Sequence, residues 1–169
     1  MKRTTINVEN SEGLPLSDAV RFGNLLFVSG MVGMDAGGKV VAGGIAAETR
    51  QTFRNIAAVL AAGGASLGDV LKVNVVLTRV EDFATFNAAY REIFPSDPPA
   101  RVSMVAGLTI DARVEIDVGP GCKKLPAGDA HVAADRRLVA PPVDDEVMAP
   151  RLARNGLENR RIEQLVAVG

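Results

Sequence analysis

Apolar residues recur along this chain with two different periods. Within residues 46–62, Phe53, Ile56, Ala57 and Leu60 fall at i, i+3, i+4 and i+7, the spacing of one helix face, and Gly63-Gly64 closes the run. A second stripe of Phe83, Phe86, Tyr90 and Phe94 predicts a helix that starts from an N-cap at Asp82 and stops at Pro95, with Asn87 as its polar member. Elsewhere the signal is that of strands. Residues 24–28 form a short apolar run between Gly23 and Gly30, and 35–39 read as a turn. Residues 70–78 are β-branched and only lightly polar, which predicts a central strand buried on both faces. Residues 100–106 alternate, with Val102, Met104 and Ala106 on one face and Arg101, Ser103 and Val105 on the other. Residues 113–118 alternate too, so Val114, Ile116 and Val118 should face the core and Arg113, Glu115 and Asp117 should face away. The order β-β-α-β-α-β-β, with both helices free to cover one face, predicts an α+β fold built on one mixed sheet.

The composition changes near Pro120. All six Phe and the single Tyr lie between Phe22 and Phe94, whereas the chain from Gly121 onward has no aromatic residue and carries four prolines and charge clusters such as Asp144-Asp145-Glu146. Residues 1–120 are therefore read as the folded domain, and residues 121–169 as an extension that is disordered or loosely docked. Leu152, Leu157, Ile162, Leu165 and Val166 have a loosely helical spacing, so a short docked helix there is the alternative. The formal net charge of -1 supplies no field for phosphate backbones or anionic lipid, which argues against nucleic acid and membrane as partners. One cysteine, Cys122, cannot form an internal disulfide, and no apolar stretch reaches the roughly 18 residues of a membrane span. A cytoplasmic protein is the expectation.

Several chemistries are excluded by inventory. One Cys and one His, His131, cannot build a zinc site within a chain or a nucleophilic triad. The glycine pairs Gly37-Gly38, Gly43-Gly44 and Gly63-Gly64 match no phosphate-binding loop and read as turns and caps. What remains is a set of polar residues embedded in apolar pattern: Ser29, Asn87, Arg101, Ser103 and Glu115. Taken alone, Arg101 and Glu115 suit a surface row of cross-strand ion pairs, a common and weak feature of sheets.

Five separated segments give these residues a second meaning. Val28-Ser29-Gly30, Thr49-Arg50-Gln51-Thr52 with Asn55, residues 82–87 with Tyr90, Pro99-Ala100-Arg101, and Val114-Glu115-Ile116-Asp117 resemble, in order and spacing, the Rid/YjgF family over residues 14–119. The resemblance implies a chorismate-mutase-like subunit that assembles as a homotrimer, with clefts between subunits. It implies hydrolysis of reactive enamine or imine intermediates to a 2-keto acid and ammonia, without cofactor or metal. Arg101 would bind the substrate carboxylate, Glu115 would orient the attacking water, and the backbone at Ser103 would help hold that water. Ser29, Gly30, Asn87 and the position of Leu16 would line the pocket.

The chemistry suits those residue types. A planar guanidinium grips a carboxylate with two parallel charge-assisted hydrogen bonds and so fixes the adjacent imine carbon. A carboxyl group can take a proton from water and return one to the departing amine. Three departures bear on substrate range: Leu16 stands where the family often has tyrosine, Met31 where glutamine is common, and Ser103 where several members have cysteine. Two other classes of function compete: a non-catalytic module of the same fold that binds small carboxylates, and a ribonuclease, against which the acidic balance counts.

Overall fold

A computed structural model of the chain describes residues 2–8 and 15–122. The extension beyond Cys122, with His131 and the helix considered for residues 151–168, lies outside the described residues. Six strands and two helices make the fold: β1 (Arg3–Ile6), β2 (Ala19–Phe22), β3 (Leu25–Met31), α1 (Gly44–Ala62), β4 (Lys72–Leu77), α2 (Phe83–Ile93), β5 (Ala100–Val105) and β6 (Val114–Cys122). The strands form one sheet in the order β1-β2-β3-β6-β4-β5. Every neighbouring pair is antiparallel except β4 and β5, which run parallel because α2 carries the chain back between them. The α+β class and the mixed sheet match the sequence pattern.

The helices share one face of the sheet. Phe53, Ile56 and Leu60 of α1 and Phe86 and Tyr90 of α2 close over Val73, Val75 and Leu77 of β4 and Val114, Ile116 and Val118 of β6. Phe53 meets Tyr90 and Phe94 edge-on, with centroids 5.7 and 5.5 Å apart, so the two helices are joined through aromatic rings. Asn55 donates from Nδ2 to the carbonyls of Val32 and Met34, tying α1 to the chain leaving β3. The turn at 35–39 forms as expected, with the Asp35 carboxylate accepting from the backbone of Gly37 and Lys39.

Five features differ from the pattern. β1 is an extra strand; its polar, largely exposed Arg3–Ile6 segment has no apolar run to announce it, and pairing with β2 alone creates it. β3 continues through Gly30 to Met31, because an added residue between Val28 and Met31, which pair with Val118 and Ile116, makes a bulge rather than an end. β4 is not buried on both faces. Only Val73, Val75 and Leu77 are; Lys72, Asn74 and Val76 are half-buried, since no helix covers their side of the sheet. Phe83, expected in the apolar stripe, is 42% exposed, because edge strand β5 presents the Arg101 guanidinium to it rather than an apolar side chain. β6 runs to Cys122, two residues past the composition break at Pro120.

No helix of the described residues is long and apolar enough to cross a membrane. The helix layer is the main source of burial, and Phe53 at 2% exposure is its centre. Phe53→Ala is expected to lower the unfolding free energy by about 3–5 kcal/mol, as for other large-to-small changes in sealed cores. Urea denaturation measures it; a loss below about 1 kcal/mol would place the core elsewhere.

Candidate active cleft

Strand register decides where each candidate residue points. Arg101 is opposite Val73 on β4, and Val73 is opposite Val118 on β6, so all three lie on the helix side. Ser103 follows on the same side, opposite Val75. Because β5 is the edge strand, the Arg101 side chain reaches out from under the helices to α2. Its Nη2 donates to Asn87 Oδ1 at 2.8 Å. Its guanidinium carbon lies 4.6 Å from the Tyr90 ring centroid, 5.3 Å from that of Phe86 and 6.0 Å from that of Phe83. The stripe that reads as core in the sequence is thus also a three-ring bed for a cation.

Among the described residues that cation has no counter-ion. Among the described residues the ion pairs are Arg50 with Glu92 at 2.7 Å and Arg113 with Asp82 at 3.1 Å. The second uses the carboxylate expected to cap α2; Asp82 holds the N-cap position but makes no cap hydrogen bond. Beside Arg101 opens a cleft of about 430 Å³ walled by Asn87, Tyr90, Phe94, Pro98 and Pro99. Burial raises the Tyr90 phenol above its ordinary pKa, against the opposing pull of the Arg101 charge, so it stays protonated at neutral pH. Its hydroxyl and that of Ser103 are buried without a hydrogen-bond partner.

Glu115 lies on the other side of the sheet. It is opposite Val76, which is opposite Met104, and these positions face the side that no helix covers. There the Glu115 carboxyl packs against Gly30, where any Cβ would collide with it. Ser29 donates from Oγ to the Ser17 carbonyl at 2.7 Å and from its backbone N–H to the Asp18 carbonyl at 2.9 Å. The hydroxyl and backbone donors of Ser29, expected to line the pocket, are therefore spent on fixing the segment that carries Leu16, which is itself 48% exposed. Met31 registers with Ile116 and packs against the core, so its departure from the common family residue sits away from this group.

The candidates fall into two half-sites. Arg101 and Asn87 form one, on the helix side at β5; Gly30 and Glu115 form the other, on the open side at β3 and β6, with Ser29 anchoring the Leu16 segment beside it. The cross-strand ion-pair row is excluded, because Arg101 and Glu115 point to opposite faces. Tyr90 is the neighbour of Arg101 that the sequence reading placed in the apolar stripe of α2 without assigning it to the site.

Comparison with known proteins agrees with this arrangement of motifs. The sequence model of the family described as Endoribonuclease L-PSP matches residues 11–119. A RutC family protein of Pyrococcus horikoshii is 44% identical over 105 residues, 61% of this chain and 83% of that protein. The human 2-iminobutanoate/2-iminopropanoate deaminase is 38% identical over 105 residues, 61% of this chain and 77% of that one. Among solved structures, the YjgF gene product of E. coli superposes with a TM-score of 0.65 at 32% identity, covering 70% of this chain and 98% of its own. RidA from a Psychrobacter species gives 0.65 at 34% identity over the same shares.

The Asn87 contact can be tested directly. Asn87→Ala removes a hydrogen bond to a charged group and should weaken binding of a small carboxylate such as 2-oxobutanoate on the order of tenfold. Calorimetric titration reads this out, and unchanged binding would remove Asn87 from the half-site.

Proposed function

Because the chain belongs to the endoribonuclease L-PSP family, also called the YjgF/Rid family, we propose that it is a hydrolytic deaminase of 2-imino and 2-enamino acids, working as a homotrimer whose clefts combine Arg101 of one subunit with Glu115 of its neighbour. One observation carries this reading. Arg101 is oriented and has no counter-ion among the described residues, and the carboxylate suited to act beside it lies on the opposite face of the same sheet. A second copy is what brings the halves together. The open face offers a surface for it, with Phe27, Val102 and Met104 each 40% exposed or more.

In such a cleft Arg101 holds the substrate carboxylate through its free N–H groups and thereby places the adjacent C=N carbon. An enamine first takes a solvent proton at its terminal carbon to become the iminium. Glu115 then accepts a proton from water while the water oxygen bonds to the iminium carbon, giving a neutral carbinolamine. Glu115 returns that proton to the nitrogen, and as the C–N bond breaks ammonia leaves while the hydroxyl proton passes to Glu115 and on to solvent, so that the keto group forms. One solvent proton is taken up and one is released, and water in and ammonia out complete the balance.

A carboxylate-binding module of the same fold would need Arg101 but not Glu115, and would release no ammonia. An RNA substrate suits neither a chain of net charge -1 nor a composite cleft in which a single guanidinium faces a carboxylate.

Composite clefts make a specific demand. Arg101→Ala and Glu115→Gln should each abolish ammonia release from 2-aminoacrylate generated in situ, with folding intact; Arg101→Lys should be nearly as damaging as Arg101→Ala. Co-refolding the Ala and Gln variants in equal amounts should restore about a quarter of wild-type activity, since about one cleft in four then pairs an intact Arg101 with an intact Glu115. Light scattering should give about three times the 17.7 kDa of one chain. No recovery on mixing, or a stable monomer with full activity, would overturn the composite site.

A further inference from the structure

We infer that Tyr90 is a positioning residue for the ligand carboxylate: its ring face sets the plane of the Arg101 guanidinium, and its hydroxyl takes no part. The inference rests on the proposed carboxylate role of Arg101, and it goes further by assigning what orients that group.

The hydrogen bond to Asn87 fixes one nitrogen of the guanidinium and leaves the group free to turn about that point. A second constraint is needed before the fork has a definite plane. Tyr90 supplies it from the shortest of the three ring distances, 4.6 Å. The ring is itself immobilised, edge-on to Phe53 and tilted against Phe86 and Phe94 at centroid distances of 5.7, 5.7 and 4.9 Å. α1 is thereby connected to Arg101 through stacked rings, and the guanidinium rests on a rigid part of the molecule although it sits on an edge strand. A ring face attracts a cation without neutralising it. A carboxylate in that place would hold Arg101 as well but would occupy the donors that the ligand needs.

The hydroxyl tells against a direct role. It is buried, unpartnered and on a residue only 5% exposed. A group kept for the ligand would be reachable from the cleft, whereas this one carries the desolvation cost of an unmade hydrogen bond. Phenylalanine should therefore do the same work.

The test compares wild type, Tyr90→Phe and Tyr90→Met, the last keeping bulk while removing the ring face. Each is measured for Kd of 2-oxobutanoate, for KM and kcat of ammonia release, and for the NMR position of the Arg101 side-chain Nε–H, which ring currents displace. Tyr90→Phe should bind within twofold of wild type and melt slightly higher. Tyr90→Met should raise Kd and KM about tenfold with a smaller change in kcat, and move the Arg101 resonance toward that of a free arginine. In an Arg101→Lys background the same Met substitution should cost less than twofold, which a merely structural role would not produce. Equal losses in Tyr90→Phe and Tyr90→Met would give the hydroxyl the role and overturn the inference, as would an unmoved Arg101 resonance in folded Tyr90→Met. If Tyr90→Met does not fold, Phe83→Leu at its exposed site carries the test: Kd about threefold higher is expected, and no change overturns it. Should wild type bind 2-oxobutanoate yet release no ammonia, deamination fails while Kd and the resonance still decide on Tyr90. Should it bind no keto acid, the carboxylate reading fails and the resonance alone decides whether Tyr90 orients Arg101.

Discussion

A sheet covered on one face sends alternate residues of every strand into two different environments, and the whole design of this molecule depends on that parity. Val114, Ile116 and Val118 are sealed under the helices, while Glu115 and Asp117 between them face the uncovered side. On β5 the parity is the reverse in chemical terms: Arg101 and Ser103 take the helix side, and Val102 and Met104 take the open side. A one-residue shift of β6 would exchange its sets and put a charge into the core, and one of β5 would turn Arg101 away from α2. Register is therefore held by burial, and through burial the two charged residues are held on opposite faces. No side-chain rotation within one chain can bring them together, so the proposed chemistry calls for a second copy.

An uncompensated guanidinium has to be made tolerable where it sits. Complete burial without an anion would be prohibitive, and full exposure would leave the side chain free to wander. Arg101 occupies the middle ground at the sheet edge, with Asn87 accepting one N–H and ring faces beneath it. Arg50 shows the contrasting solution: its Nε and Nη2 both go to the Glu92 carboxylate at 2.7 Å, which raises its own pKa and lowers that of Glu92. That pair joins α1 to α2 at the surface, with the Nε–Nη2 edge of Arg50 and its charge already matched by a carboxylate. The difference between the two arginines is whether the donors are already used.

Much of the fold was legible because burial on one face writes its period into the sequence. The 3.6-residue stripe of α1 and the alternation of 113–118 are direct consequences of the covered face. β1 was not legible, since an edge strand with largely exposed residues needs no apolar period. The bulge at Gly30 was not legible either, because a glycine after an apolar run reads equally as an end, and the extra residue shows only in the register of β3 against β6. The candidate site was legible as a set of residues through family motifs, but their division between two faces required the register of β4 against both neighbours. Tyr90 was hidden by its double use, since a residue that packs the core and also carries a cation has the pattern of the core alone.

The same register separates the departures from the family pattern into those that matter for the cleft and those that do not. Met31 is on the helix side, against the core, where exchanging one long side chain for another is a packing question. Ser103 is also on the helix side, its hydroxyl buried and unpartnered, so a less polar side chain of similar size would be at least as comfortable there. Leu16 differs from both. It is exposed on a segment that Ser29 fastens to β3 by two hydrogen bonds, so its place is fixed although its side chain touches solvent. In the proposed trimer that fixed leucine belongs to the half-site of Glu115 and meets the ligand from the neighbour's side. A tyrosine there would bring a hydroxyl to the ligand; leucine brings only apolar surface. Of the three departures, it is the one whose position allows it to change which imino acid the cleft accepts, and it would do so by favouring apolar substituents at the end of the ligand away from Arg101.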